Sequence, residues 1–170
     1  MRTYTYIGPP ALFETAATAT TGETISSAEQ AAAWVSRHRE DAGPDSLTPA
    51  TFVVTAPDGL LRLAPRRSEH VHCARGGGVL CAGEIYLRLT RRGIVVEQIT
   101  NQSTGYAPEP GSWPAIAAAL DSLGIPRPDA FEPAFEFRRC PSCRQLCLIK
   151  EGDFTCAVCG TELPAEWNVA

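Results

Sequence analysis

A chain of 170 residues with 44% apolar and 20% charged side chains has the size and composition of one compact folded unit with room for a small appendage. A net charge of -4 argues against a protein that coats nucleic acid non-specifically, and the longest clean apolar run, Ala115 to Leu120, is far too short to cross a bilayer. The opening MRTYTYIGPP has no apolar leader segment, so the expected setting is the cytoplasm, with no membrane contact.

Before Ser26 the chain is rich in Thr, Ala and Gly, and only YTYI (4–7) reads as a strand. Ser26 and Glu29 form an S-x-x-E capping box ahead of Ala31-Ala32-Ala33-Trp34-Val35, which predicts a helix ending near His38. DAGPDSLTP (41–49) is a breaker-rich loop. TFVVT (51–55) and LLRLAP (60–65) flank Ala56-Pro57-Asp58-Gly59 and predict a hairpin. Further strands are expected at about 69–74, 79–90 and 94–102, turned at the glycine run 76–78 and at Arg91-Arg92-Gly93. Together these form an antiparallel meander of about five strands. Ser112 is placed to cap a helix from Trp113-Pro114 to Leu123, with Gly124 as its stop and Pro126 beyond. Ala115, Ile116, Ala119, Leu120 and Leu123 fall on one face of that helix, which is expected to cover the sheet.

The strongest chemical signal is CPSCRQLCLIKEGDFTCAVC (140–159), in which Cys140-x2-Cys143 and Cys156-x2-Cys159 are separated by twelve residues. Zinc takes four soft ligands in a tetrahedron, and each C-x-x-C knuckle supplies two thiolates from one tight turn. The spacer, LCLI and DFTC around Lys150-Glu151-Gly152-Asp153, suits a hairpin that brings the knuckles together, and Pro141 and Gly160 fit the turns. Two disulfides are disfavoured by a cytoplasmic setting, and a redox C-x-x-C needs one pair in a thioredoxin-like context. Iron is the other metal the thiolates suit. These paired knuckles resemble a zinc ribbon over about residues 135–165, which implies one structural Zn2+ held by Cys140, Cys143, Cys156 and Cys159. Cys147 reads as a buried apolar thiol. The fold class is therefore α+β: a small antiparallel β-meander with one or two packed helices (residues 1–134) and a C-terminal zinc ribbon and tail (residues 135–170). Phe135, Phe137 and Trp167 are expected to dock the ribbon on the main domain.

HVHCARGGGVLCAGE (70–84) carries a weaker signal. A hairpin centred on Gly77 sets His70 opposite Glu84, His72 opposite Ala82 and Cys73 opposite Cys81, so strand alternation puts His70, His72 and Glu84 on one face and the cysteines on the other. That parity splits what first looks like a metal cluster. The next hairpin sets Glu84 opposite Thr100 or Asn101; Arg88 facing Glu97 favours one register, Ile85 facing Ile99 the other. NQSTGYAP (101–108) then brings Ser103 and Tyr106 towards His70 and Glu84. His70, Gly76-Gly77, Ala82-Gly83-Glu84, Ser103, Tyr106 and Pro108 together resemble a module of uncharacterised bacterial proteins that also occurs in plant calmodulin-binding IQ-motif proteins. The resemblance covers residues 70–108 and implies a shared fold element and a shared pocket; Gly105 stands where the module carries its second histidine.

Three functional classes follow. A bacterial zinc-binding interaction or adaptor module with a protein partner is the leading expectation. The alternative is a small transferase or hydrolase acting on a nucleotide or protein modification, with His70 as base, Glu84 as its orienter, and Ser103 or Tyr106 positioning substrate. The competing structural reading of the same residues is a cross-strand His–Glu pair beside a glycine turn. The third class, nucleic-acid binding, rests on an arginine-rich centre: Arg62, Arg66, Arg67, Arg75, Arg88, Arg91 and Arg92 against Glu69 and Glu84.

Overall fold

β-Branched and apolar segments, buried on both faces at the centre, form a five-stranded antiparallel sheet in the computed structural model, which describes residues 1–42 and 46–169. Its strands are β1 (Glu23–Ile25), β2 (Thr48–Thr55), β3 (Leu61–Pro65), β4 (Val79–Thr90) and β5 (Gly93–Ile99), in the spatial order β1-β3-β2-β4-β5. Four helices accompany them: α1 (Pro10–Ala16), α2 (Ala28–Arg37), α3 (His70–Cys73) and α4 (Trp113–Ser122). A separate two-stranded sheet, β6 (Glu136–Arg139) and β7 (Leu146–Ile149), follows. The fold is α+β, as the sequence implies. The loop expected at 41–49 lies partly outside the described residues, and β2 already begins at Thr48.

The β2–β3 hairpin forms at Ala56-Pro57-Asp58-Gly59, where Gly59 takes φ +69° and Thr55 Oγ1 donates to Asp58. In α2 the capping box closes one residue later than the sequence reading placed it. Ser27, not Ser26, is the N-cap and accepts from Gln30 N at 3.2 Å, while Gln30 Oε1 accepts from Ser26 N at 2.9 Å. Helix α4 ends as expected, with Gly124 at φ +66° just beyond it.

Segment 69–74 is helical, which corrects the expected strand there. His72 N and Cys73 N both donate to Glu69 O, and Ala74 N donates to His70 O. Arg75 (φ 53°) and Gly76 (φ 76°) then stop the turn in the left-handed region. Four residues alternating polar and apolar fit one helical turn as well as a strand, so periodicity alone could not separate the two. The fifth strand comes instead from Glu23–Ile25, and β2 rather than a 69–74 strand pairs with β4, so the sheet is not a simple meander. The expected YTYI strand reduces to a bridge between Tyr4 and Val79.

Between β4 and β5 the register that sets Ile85 opposite Ile99 forms, and the one that sets Arg88 opposite Glu97 does not, because Arg88 faces Val95. Ile85 faces Ile99, the register shifts between Tyr86 and Leu87, and Leu87 faces Val96. Arg88 Nε reaches Glu97 Oε1 at 2.8 Å diagonally, two residues along β5 from its ladder partner Val95. One face of the sheet packs on α2 and α4 through Trp34, Phe52, Leu63, Ile85, Ile116 and Leu120. The other is covered by α1, α3 and the N-terminal segment through Tyr4, Val53, Val71, Ala82 and Tyr106.

Candidate metal centre and the His70 face

The C-terminal segment is built from two copies of one turn. In the first knuckle Arg144 N donates to Cys140 O at 3.0 Å and Cys140 N to Gln145 O at 2.9 Å. In the second, Gly160 N donates to Cys156 O at 2.8 Å and Cys156 N to Thr161 O at 2.9 Å. The residue after each second cysteine has a left-handed backbone, Arg144 at φ 64° and Gly160 at φ 73°. The hairpin around them differs from the expected one. LCLI is β7 and pairs with Glu136–Arg139, whereas Lys150 and Asp153 form only an isolated bridge and Thr155 bridges Glu162.

This geometry converges four thiols. The sulfurs of Cys140, Cys143, Cys156 and Cys159 all lie within 4.8 Å of one another. Cys140 and Cys159 sulfurs are 3.5 Å apart and Cys143 and Cys156 sulfurs 3.6 Å apart. A disulfide needs about 2.05 Å. A tetrahedron built on metal–sulfur bonds of about 2.3 Å has edges of about 3.8 Å, so the four positions fit one metal ion. The turn of the second knuckle also favours its two thiolates. Backbone N–H groups of Cys159 and Val158 lower the Cys156 thiol, and the Thr161 hydroxyl and backbone N–H lower Cys159 to about 6. Cys147 is buried at the side of this set, its Sγ 3.7 Å from that of Cys156.

Asn101, which the sequence reading passed over, fastens this segment to the sheet. Fully buried, it donates to Pro108 O (2.8 Å) and Phe135 O (2.7 Å) and accepts from Phe135 N (2.7 Å). Trp167 adds a bond from Nε1 to Ala107 O at 2.9 Å and an edge contact with Tyr4. Phe137 packs with Ala107 and Val169, and Phe135 and Trp167 join that cluster. A lone Asn after a strand carries no sequence mark of a partner 34 residues away.

His70, Glu84, Ser103 and Tyr106 lie on or beside the α3-covered face, but no hydrogen bond or ion pair joins any two of them among the described residues. His70, at the start of α3, shares its Nε2 hydrogen with Gly83 O at 3.0 Å. Glu84 accepts from Tyr86 OH at 3.3 Å, and its backbone O accepts from Thr100 N at 2.9 Å, the register expected for it. Tyr106 OH donates to Gly77 O at 2.7 Å, and burial pushes that phenol well above its ordinary value. Ser103 Oγ is buried without a hydrogen-bond partner. Gly105, the position of the module's second histidine, sits under Tyr6: a Cβ there would lie 2.7 Å from the Tyr6 ring. His72 Nε2 instead contacts Thr15 Oγ1 and Leu12 O, each at 3.0 Å, tying α3 to α1. Cys73 and Cys81 are buried and pushed up to about 12, which makes them inert core thiols.

Burial holds His70 down at about 4, with the Gly83 carbonyl pulling the other way. The ring is therefore neutral at pH 7. An unfolded histidine titrates near 6.5, so between about pH 6.5 and 4 the unfolded chain binds more protons than the folded one. The contribution is complete above pH 6.5 and is lost as pH falls, by up to about 3 kcal/mol. His70→Gln, whose amide can donate to the same carbonyl, should show a shallower fall of the urea midpoint between pH 6.5 and 4.5. A slope equal to wild type would show that the ring is not desolvated.

The arginine-rich centre disperses. Arg62 is buried with Nη2 donating to Gly22 O, and Arg88 pairs with Glu97. Arg75 precedes β4 whereas Arg91 and Arg92 follow it, about 36 Å away for a twelve-residue strand. No helix among the described residues is long and apolar enough to cross a membrane. No protein-family model matches this chain, and no curated protein or solved structure matches it.

Proposed function

We propose that this chain is a zinc-binding interaction module in which the metal organises the C-terminal segment and the activity is the binding of a protein partner. The observation that carries the reading is the closed set Cys140, Cys143, Cys156 and Cys159. Four thiolates leave no coordination position for water or substrate, which is the arrangement of structural zinc, and all-sulfur donors favour zinc over harder divalent ions. The polar heads of His70 and Tyr106 are spent on backbone carbonyls, which supports a structural role for them. A groove of about 610 Å³ at the β4–β5 turn, lined by exposed Arg91 and Arg92 beside Ile94 and Pro126, suits an acidic protein surface.

Metal analysis of the purified chain should give about one zinc per chain, and joint Cys140→Ser and Cys156→Ser substitution should abolish it. Unchanged metal content would overturn the metal centre, and iron in place of zinc would overturn the metal's identity. A protein partner retained by the wild type should be lost from an Arg91→Glu, Arg92→Glu chain that keeps its zinc. Equal retention would remove the groove from the proposal, and retention of nucleic acid with steep salt dependence would favour the third class. The enzyme reading through His70, Glu84, Ser103 and Tyr106 draws on one observation, the unpartnered buried Ser103 hydroxyl. Its requirement is a substrate that reaches that hydroxyl.

A further inference from the structure

Cys147 is the cysteine that the four-ligand set leaves over. It lies within β7, and its partly apolar surroundings (Ile149, Phe154 and Leu163) would accept Ala or Val equally well. What distinguishes it is position. Cys156 sulfur stands 3.6 Å from that of exposed Cys143 and 3.7 Å from that of buried Cys147. One ligand sulfur therefore bridges a solvent-facing thiol and a protected one.

We infer that Cys147 and Cys156 form an oxidative modification site, at which a peroxide converts the metal-binding knuckle into a buried disulfide. The inference rests on the zinc–thiolate reading above. The exposed Cys143 thiolate attacks the peroxide oxygen, forming a sulfenic acid as hydroxide departs. The Cys156 thiolate attacks that sulfur; an S–S bond forms and the second hydroxide leaves. Cys147 then attacks the Cys156 sulfur, and its proton goes to the Cys143 thiolate it displaces. The net change is one disulfide made from two sulfurs, two electrons delivered to the peroxide, and two hydroxides released. The last exchange is favoured because a Cys143–Cys156 disulfide removes two ligands from the set, whereas a Cys147–Cys156 disulfide removes one. Cys140, Cys143 and Cys159 remain reduced, one ligand short of a closed site.

The test treats the metal-loaded chain with a few equivalents of hydrogen peroxide beside a chromogenic chelator, then blocks free thiols and maps disulfides by peptide mass. The wild type should yield the Cys147–Cys156 peptide pair and slow metal release that a thiol reductant reverses. Cys147→Ser should carry its metal before oxidation, shift the disulfide to Cys143–Cys156, and release metal several-fold faster. Should Cys147→Ser lose metal at the outset, Cys147→Ala, which adds no polar group to the apolar surroundings, takes its place. A wild-type map holding only Cys143–Cys156 or Cys140–Cys159, or release at the same rate with and without Cys147, would overturn the inference while the metal reading stands. Absence of metal before oxidation would overturn both.

Discussion

Removing the metal, by a strong chelator or by Cys140→Ser, is expected to unfold residues 136–163 while the five-stranded sheet stays folded. The physical case starts from how little else the segment has. β6 and β7 are four residues each, and an isolated two-stranded hairpin is marginal in water. Its own buried cluster is Cys140, Cys147, Cys156 and Leu163, so three of its four members are cysteines. Structural zinc supplies on the order of 10 kcal/mol to such units, far beyond what one buried leucine provides. The Asn101 clamp lies at Phe135, just ahead of β6, and fixes the entry of the segment rather than its knuckles. Amide exchange should therefore show protection lost from 136 to 163 and kept in β2, β4 and β5. Trp167, which packs against Tyr4 and bonds Ala107, should report the loss by a red-shifted fluorescence component, whereas buried Trp34 should not change. If protection in β6 and β7 survives the chelator, docking on the sheet suffices and the metal is not structural.

Much of this arrangement was legible in the sequence, for identifiable reasons. The β2–β3 hairpin and the α4 helix announce themselves through Pro57-Asp58-Gly59 and through Pro114 with Gly124, residues whose backbone preferences act locally. Ser112, by contrast, makes no side-chain cap and donates its hydroxyl to Glu109 O instead. The four cysteines are equally local: two turns of fixed length, each presenting two sulfurs. What escaped depends on contacts distant in the chain. β1 is three residues, ETI, with no alternation to read, and exists because β3 offers it an edge. Helix α1 is about two turns beginning at Pro10, stabilised by packing on α3 rather than by propensity. Around His70 the error was one of period. Parity placed Glu84 opposite His70, but the helical turn of α3 carries the ring to the Gly83 carbonyl instead. Between β4 and β5 burial decided the register: Ile85 faces Ile99 in the core, while Arg88 faces Val95 and meets Glu97 only as a diagonal side-chain pair.

Gly83→Ala should be among the most destabilising single substitutions in the protein, costing about 3–5 kcal/mol. Gly83 lies within β4 opposite Phe52. A Cβ there would meet Thr100 O at 1.9 Å, Thr100 C at 2.8 Å and Asn101 Cα at 3.0 Å, all of them backbone atoms. That backbone has little freedom to withdraw. Thr100 N is bonded to Glu84 O, and the Asn101 side chain is anchored on both Pro108 and Phe135. Relieving the clash would break the sheet ladder or the clamp, and would also shift the carbonyl that His70 holds. The measurement is the urea midpoint, with an unchanged slope marking a loss of native stability alone. Gly59→Ala is the control: φ is +69° but a Cβ there meets nothing within 4 Å, so about 1 kcal/mol of backbone strain is expected. A Gly83→Ala loss no larger than that of Gly59→Ala would show that the crossing can relax. Otherwise Ala82-Gly83-Glu84 is small at its centre because a second chain segment passes directly over it, and His70 is placed to fasten that crossing from the other side.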